Sequence, residues 1–379
     1  MDSATVLDRR IATTWTDAEV LEGVAAIAAG PLRAAAPAID HGHYPLDIMA
    51  ELGRVGALGV HLKRHGGRLG VAIAAMEGAS RACGSTGFLM WAHDVCGLYL
   101  ENAGNPALST TLLEAHAQGL AFGGTGLSNP MKALSGVESF LLRARKVANG
   151  YRVSGSLPWV SHIAPGQYFG AMAAVVDGAR SVSHEILFIV RCDERVQLRP
   201  CPTFSGMEGT STWGVRLDDL LVTPADLVAD PARPFVARIR ESFILLQTGM
   251  ALGIIAGCLD DMRQVEPVLG RTNRFLADRP DELAAEAAEL RARIMRLAET
   301  PHDGGRDYRI EVLDARIHGA ELALRAAQSA LLHQGARGYL AEAAPQRRVR
   351  EAHFCAIVTP AIKHLRFELS KLMTDEYPS

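Results

Sequence analysis

The chain has 379 residues, 48% of them hydrophobic and 21% charged, with a formal net charge of −3. That length exceeds the roughly 250–300 residues at which one hydrophobic core stops growing, so two or three structural units are expected. The near-balanced charge gives no electrostatic case for nucleic acid. No apolar run approaches the roughly 20 residues of a membrane span, and the acidic start MDSATVLDRR does not read as a signal peptide, so the expected compartment is the cytoplasm.

The six cysteines (Cys83, Cys96, Cys192, Cys201, Cys258 and Cys355) have no CxxC or paired spacing. They read as small buried hydrophobes in a reducing compartment, neither bridged nor zinc-bound. His41 and His43 in DHGH, and His61 and His65 in HLKRH, lack the glutamate and the acidic or cysteine neighbours of a metal motif, so no metal is expected.

In chain order, residues 1–118 read as a helical domain. TDAEVLEGVAAIAAGPLRAAAPAI has an acidic first turn, and PLDIMAELGRVGAL opens on proline, as helices often do. LGVAIAAMEGASRACG and TGFLMWAHDVCGLYLENAG repeat apolar residues every three or four positions and close on glycine. Trp91 and His93 lie inside the last of these and read as core. Residues 119–232 change character. Short alternating or β-rich runs, among them ESFLLRARKV, GYRVSGSL, QYFGAMAAVV, EILFIVR and WGVRLDDLLV, are punctuated by Gly, Pro, Asn and Asp. Their spacing predicts an antiparallel β-barrel or sandwich. Residues 233–379 turn helical again, with stretches such as ARIRESFILLQTGMALGIIAGCLDDM too long and apolar for surface helices. A four-helix bundle is expected, with some faces used between subunits.

Helices, then a β middle, then a bundle is an uncommon order. With it come five motifs in sequence: LGRVGALGVHLKRHGGRLG, GLSNPMKALSG, NGYRVSGSLPWVSH, GMEGTSTWGVRLDDLLVTPADLV and HQGARGYLAEAAPQRRVREAHF. Together they resemble the acyl-CoA dehydrogenase superfamily over nearly the whole chain. The resemblance implies an α+β multi-domain fold and an FAD cofactor lying against Trp159 and Ser161. An indole supplies a flat apolar wall, and a hydroxyl beside a flavin stabilises electron density in the reduced ring. Gly126, Leu127 and Ser128 match the stretch near the flavin and its pyrophosphate, with Asn129 in place of the usual glutamate. Ser135 matches a serine on the substrate side. For the adenine half the chain offers Arg271 or Arg274 in GRTNRFLAD, without the family's following glycine and glutamine. Gly335 and Gly338 remain of a Gly-Gly-x-Gly-Tyr run.

The family removes a thioester α proton with a glutamate while hydride passes to flavin. Here Thr359, in IVTPAIKHL, stands at that glutamate's usual position, and Phe243 stands at its alternative one on the first bundle helix. Glu241 is the nearest acid to Phe243, but it lies two residues away, roughly 200° round a helix. Three functions follow from the resemblance: an acyl-thioester dehydrogenase, a flavin-dependent monooxygenase on the same fold, or a non-catalytic subunit of a hetero-oligomer. The implied partners are a small acyl thioester, a second copy in a homodimer or homotetramer, and an electron acceptor or flavin reductase.

Overall fold

The computed structural model describes residues 15–176 and 181–374. The chain opens with α1 (Asp17–Ile27), started by a reciprocal capping box in which Thr16 and Glu19 satisfy each other's backbone N–H. The sequence predicts one helix onward to Ile39. Instead a π-helical segment (Ala28–Leu32) breaks it, because Gly30 leaves helical geometry beside Pro31, and α2 (Arg33–Asp40) resumes beyond it. Then come α3 (Leu46–Arg54), α4 (Leu69–Ala82), α5 (Gly84–Asn102) and α6 (Leu113–Ala117).

The middle section holds β1 (Gly123–Thr125), a short helix α7 (Ser128–Leu134), and strands β2 (Leu142–Val147), β3 (Gly150–Val160), β4 (Tyr168–Val176), β5 (Val182–Arg191), β6 (Val196–Pro200), β7 (Trp213–Val222) and β8 (Leu227–Ala229). They form one sheet in the order β6-β7-β3-β2-β4-β5-β8, with β1 on β4. The expectation of a wholly antiparallel sheet needs correction: β4 runs parallel to both β1 and β2. β2 and β3 form a hairpin, and the chain then crosses β2 to reach its other edge, so β4 arrives in β2's direction. The sheet is mixed.

The last section comprises α8 (Arg233–Asn273), α9 (Pro280–Leu297), α10 (Arg306–Gln334), α11 (Ala344–Ile357) and α12 (Ile362–Met373). One apolar cluster fills the helical parts and a second fills the inside of the sheet. By length and composition α8 contains a stretch apolar enough to cross a membrane, which the reading of the sequence above did not anticipate, but 94% of that stretch is buried inside the fold. It is a core helix, apolar all round because it is covered all round.

What covers it on one side is α4, at very close range. A Cβ on Gly249 would sit 2.6 Å from the Ile73 carbonyl oxygen, and one on Gly253 would sit 2.4 Å from the Glu77 oxygen and the Ser80 Cβ. The two glycines, one turn apart, let backbone meet backbone. Gly253→Ala forces the helices apart, at about 1–3 kcal/mol for overpacking, against about 1 kcal/mol gained in helix propensity. Thermal unfolding of Gly253→Ala is therefore expected at a clearly lower temperature than the parent. Gly304→Ala, where a methyl meets nothing within 4 Å, should leave it unchanged.

Candidate functional site

The tryptophan at the end of β3 owes its orientation to an irregularity in the sheet. Leu157 pairs with Val215 and Val160 with Trp213, so three steps on β3 match two on β7. The extra residue is a β-bulge, the device by which a strand re-aims a side chain. Leu157 and Val160 both face the core, while Pro158 and Trp159 both face out, leaving the Trp159 indole 58% exposed. Phe204 lies edge-on to it at 6.4 Å. Ser161 follows, bridged to Thr125 of β1. That bridge requires Gly124, where any Cβ would lie 2.2 Å from the Ser161 carbonyl oxygen. The Ser161 hydroxyl is 2.7 Å from Thr212 Oγ1, which is 2.9 Å from Thr210 Oγ1.

Beyond β1, Gly126 is wedged beside Leu157 and Phe169, Leu127 is buried, and Ser128 opens α7 on the surface. Ser128 Oγ lies 2.8 Å from Thr359 Oγ1. Seven residues on, Ser135 Oγ lies 2.8 Å from His364 Nε2 on α12, and Lys371 Nζ donates to the Ser135 carbonyl at 3.0 Å. Residues seven apart share a helix face, so the two ends of α7 meet the α11–α12 junction and α12 through one polar row. Asn129 is committed elsewhere. Its amide donates to Ser139 O at 2.9 Å and accepts from Leu141 N at 2.9 Å, which pins α7 to the loop after it.

Thr359 is held from behind. Gln247 of α8 donates to the Thr359 carbonyl at 2.9 Å, and Arg316 of α10 donates to Gln247 Oε1 at 2.9 Å and to the Cys355 carbonyl at 2.7 Å. Arg316 is fully buried, and no carboxylate pairs with it among the described residues. Its charge faces the last turn of α11, where unpaired carbonyls and the negative end of the helix dipole lie.

The other sequence-nominated positions fall elsewhere. Glu241 is buried against Arg309 of α10, its carboxylate 3.2 Å from Nε. Burial raises its pKa. Phe243 packs edge-on against Trp91 at 5.1 Å, and Trp91 Nε1 donates to its carbonyl at 3.1 Å. Arg271 is exposed in the last turn of α8, and Gly335, with φ +61°, ends α10. Asn273 donates to the His333 carbonyl at 3.1 Å and ties those two helix ends together. The structure thus brings Ser128 to Thr359 and Ser135 to His364, and places Trp159 beside Ser161. Arg271 and Gly335 lie together at another end of the bundle.

Residues 15–120 match the acyl-CoA dehydrogenase N-terminal domain and residues 245–359 match the acyl-CoA dehydrogenase C-terminal domain. The chain belongs to the acyl-CoA dehydrogenase superfamily. It is 25% identical over 344 residues to the probable acyl-CoA dehydrogenase YngJ of Bacillus subtilis, covering 85% of this chain and 89% of that one. Among solved structures, its fold is similar to butyryl-CoA dehydrogenase from Megasphaera elsdenii (TM-score 0.82, 17% identity, 97% of this chain and 100% of that chain). It is also similar to a dibenzothiophene monooxygenase from Paenibacillus (TM-score 0.78, 16% identity, 95% and 98%).

This member of the superfamily carries two further features that sequence reasoning missed. One is the Arg316–Gln247 clamp. Its signal was a cation within the apolar stripe of α10, in DARIHGAELALR. The other is a set of buried imidazoles behind Ser161. His93 Nε2 donates to the His116 carbonyl at 3.0 Å, which leaves Nδ1 an acceptor, facing His162 Nε2 at 3.4 Å. His162 Nδ1 lies 2.9 Å from the Tyr44 hydroxyl, whose single proton is donated to Gln167 Oε1 at 3.1 Å. His116, stacked 3.5 Å from His93, donates to the His93 carbonyl and accepts from Tyr168. His61 lies nearby, its Nε2 2.9 Å from the Asp94 carbonyl and its Nδ1 3.8 Å from the Asp94 carboxylate. Burial disfavours the charged form of all four rings and pushes them below the ordinary histidine range: His61 to about 4, His93 to about 3, His116 and His162 well below.

Two predictions follow from these features. Below about pH 6.5 the unfolded chain takes up protons that the folded imidazoles refuse, so stability falls as pH drops toward the folded values. Each histidine contributes about 1.4 kcal/mol per pH unit. Asp94, buried and raised well above its usual value, returns one increment of opposite sign. Urea midpoints should therefore drop steeply between pH 7.5 and 5. A flat profile would contradict neutral buried rings. For the clamp, Arg316→Met should speed amide exchange in residues 355–362 while distant amides stay protected, and Arg316→Lys should restore part of that protection.

Proposed function

We propose that the protein is an FAD-dependent oxidoreductase whose flavin ring lies against Trp159, with Ser161, Gly126, Leu127 and Ser128 along its edge. The observation that carries this reading is the bulge in β3, which exposes a large indole beside two hydroxyls where an apolar ring needs a partner. The donor set suits an isoalloxazine: one flat apolar wall and neutral hydrogen-bonding groups. FAD supplies hydride acceptance and, once reduced, reaction with oxygen. Trp159→Ala removes about 1.5–3 kcal/mol of apolar contact, so FAD affinity should fall roughly tenfold to a hundredfold. Unchanged binding by fluorescence titration would return Trp159 to an ordinary surface position.

Relatives named acyl-CoA dehydrogenases support an acyl thioester as substrate and α,β-dehydrogenation as reaction. In that reading Ser135 meets the substrate, Phe243 bounds its pocket, and Thr359 stands over the reacting carbons. One observation favours a second reading, a flavin-dependent monooxygenase. Thr359 and Ser128 offer hydroxyls where a base is required, and Glu241 is engaged by Arg309. A neutral hydroxyl donates a hydrogen bond well but takes a carbon-bound proton poorly. Glu241→Gln is expected to leave turnover nearly intact under either reading, while Thr359→Val alters it. Anaerobic bleaching of the flavin by acyl-CoAs, enhanced in Thr359→Glu, would establish the dehydrogenase. Oxygen incorporated into product from a reduced-flavin supply would establish the monooxygenase.

The adenine half of the cofactor is assigned to Arg271 and Gly335. The same bundle end carries exposed Val268, Phe275, Tyr339 and Leu340, which favours a second copy of the chain there, in a dimer or tetramer. Three units, divided near residues 118 and 232, and a cytoplasmic location complete the proposal. All six cysteines are free, as suits a reducing compartment.

A further inference from the structure

A cavity adjoins the Ser161–Thr212 contact and the Phe204 ring, between the corner joining α2 to α3 and the segment joining β6 to β7. Its volume is about 250 Å³, it opens to solvent, and its lining includes Tyr44, Cys201, Phe204, Met207, Glu208, Ser211, Thr212 and Trp213. We infer that this cavity is a binding site for an uncharged, flat, fused two-ring aromatic molecule. The inference does not depend on flavin binding or on the reaction proposed above.

Four observations lead to that class of ligand. The first is lining: three aromatic rings and a methionine border a partly open space that also carries polar surface, and thioether and π surfaces favour a planar guest. The second is size. An apolar cavity of about 150 Å³ takes benzene, so a volume of about 250 Å³ suits two fused rings. The third is the state of the polar groups. Ser211 Oγ donates to Ile163 O at 2.7 Å and accepts from Trp213 Nε1 at 3.2 Å. Thr212 Oγ1 is tied to Ser161 and Thr210, and the Tyr44 hydroxyl to His162 and Gln167. The wall hydroxyls are already paired within the protein, so a polar guest would find little to exchange for its water. Glu208 adds a negative charge with no cationic partner among the described residues, which opposes an anionic guest.

The fourth is strain. The described chain has four non-glycine residues with positive φ, and three of them gather here. Met207 (φ 65°) and Ser211 (φ 45°) border the cavity, and His162 (φ 61°) holds Tyr44. Such conformations cost of order 1–3 kcal/mol each and persist where the surroundings impose them, commonly at ligand sites. Here they turn Met207 and Ser211 toward a common space.

The test is calorimetric titration of the purified protein with 2-naphthol, decahydro-2-naphthol and 2-naphthoate. One saturable site for 2-naphthol is expected. The puckered decahydro analogue and the anionic naphthoate should each bind at least about tenfold more weakly, a difference of about 1.4 kcal/mol. Cys201→Phe fills the cavity and should abolish binding, whereas Cys201→Ser should retain it. If Cys201→Phe does not fold, the site is read instead from the Met207 methyl resonance of methionine-labelled parent protein, which should shift on saturation. Absence of saturable binding, equal affinity for the puckered or anionic analogue, or an unmoved Met207 methyl would each overturn the assignment.

Discussion

The centre of the helical half is held by a guanidinium, Arg316, that has no acid to pair with among the described residues. Burying an unpaired cation is costly, and Arg316 persists because other groups supply the missing negative charge. The last turn of α11 turns its carbonyls toward it, and Gln247 relays its second hydrogen bond outward. Three helices are thereby fixed at one point, and the far end of the relay is the Thr359 carbonyl. Thr359 in turn touches Ser128, so the sheet side of the site is registered against the bundle through one chain of hydrogen bonds. A hydrophobic contact could shift by an ångström without breaking. This chain cannot, because each of its links needs a defined donor and acceptor.

The close approach of α4 to α8 works to the same end by different physics. Gly249 and Gly253 remove two side chains and leave backbone on backbone. That fixes α8 in depth, while Arg316 fixes its neighbours around it. Gln247 lies two residues before Gly249, so the residue that reaches Thr359 sits on the most rigidly packed stretch of the helix. Sites carried on such elements hold their geometry better than sites carried on loops.

Much of this was legible in the sequence, and the part that was not has a common cause. Periodicity identified the two helical sections and the β section between them, since burial of one face is a local pattern. The motif around Trp159 could be read because a tryptophan and a hydroxyl stood where alternation failed. The bulge that turns the indole outward could not be read, since it arises from pairing with β7, some fifty residues away. Helix α7 was missed within GLSNPMKALSG because it is short and opens on Ser-Asn-Pro, a turn-like signal. The parallel pairing of β4 depends on which edge the chain reaches after β3. Arg316, His93 and His116 read as surface or core residues one at a time, and only long-range packing joins them into a clamp and a neutral array.

A threonine rather than a carboxylate at the α11–α12 junction has a structural consequence of its own. An ionised side chain at that point would stand beside the Ser128 hydroxyl, on a carbonyl already drawn toward Gln247 and Arg316. A carboxylate there would be drawn toward the guanidinium and would need solvent or substrate to balance it. Threonine asks for neither: its hydroxyl is satisfied by Ser128 and its carbonyl by Gln247. The junction is therefore neutral, with its hydroxyl and carbonyl both paired within the protein. If the proposed site is the reacting one, a proton that moves there is carried by the substrate or by solvent rather than by this loop, and that constraint bears most directly on the choice between the two proposed chemistries.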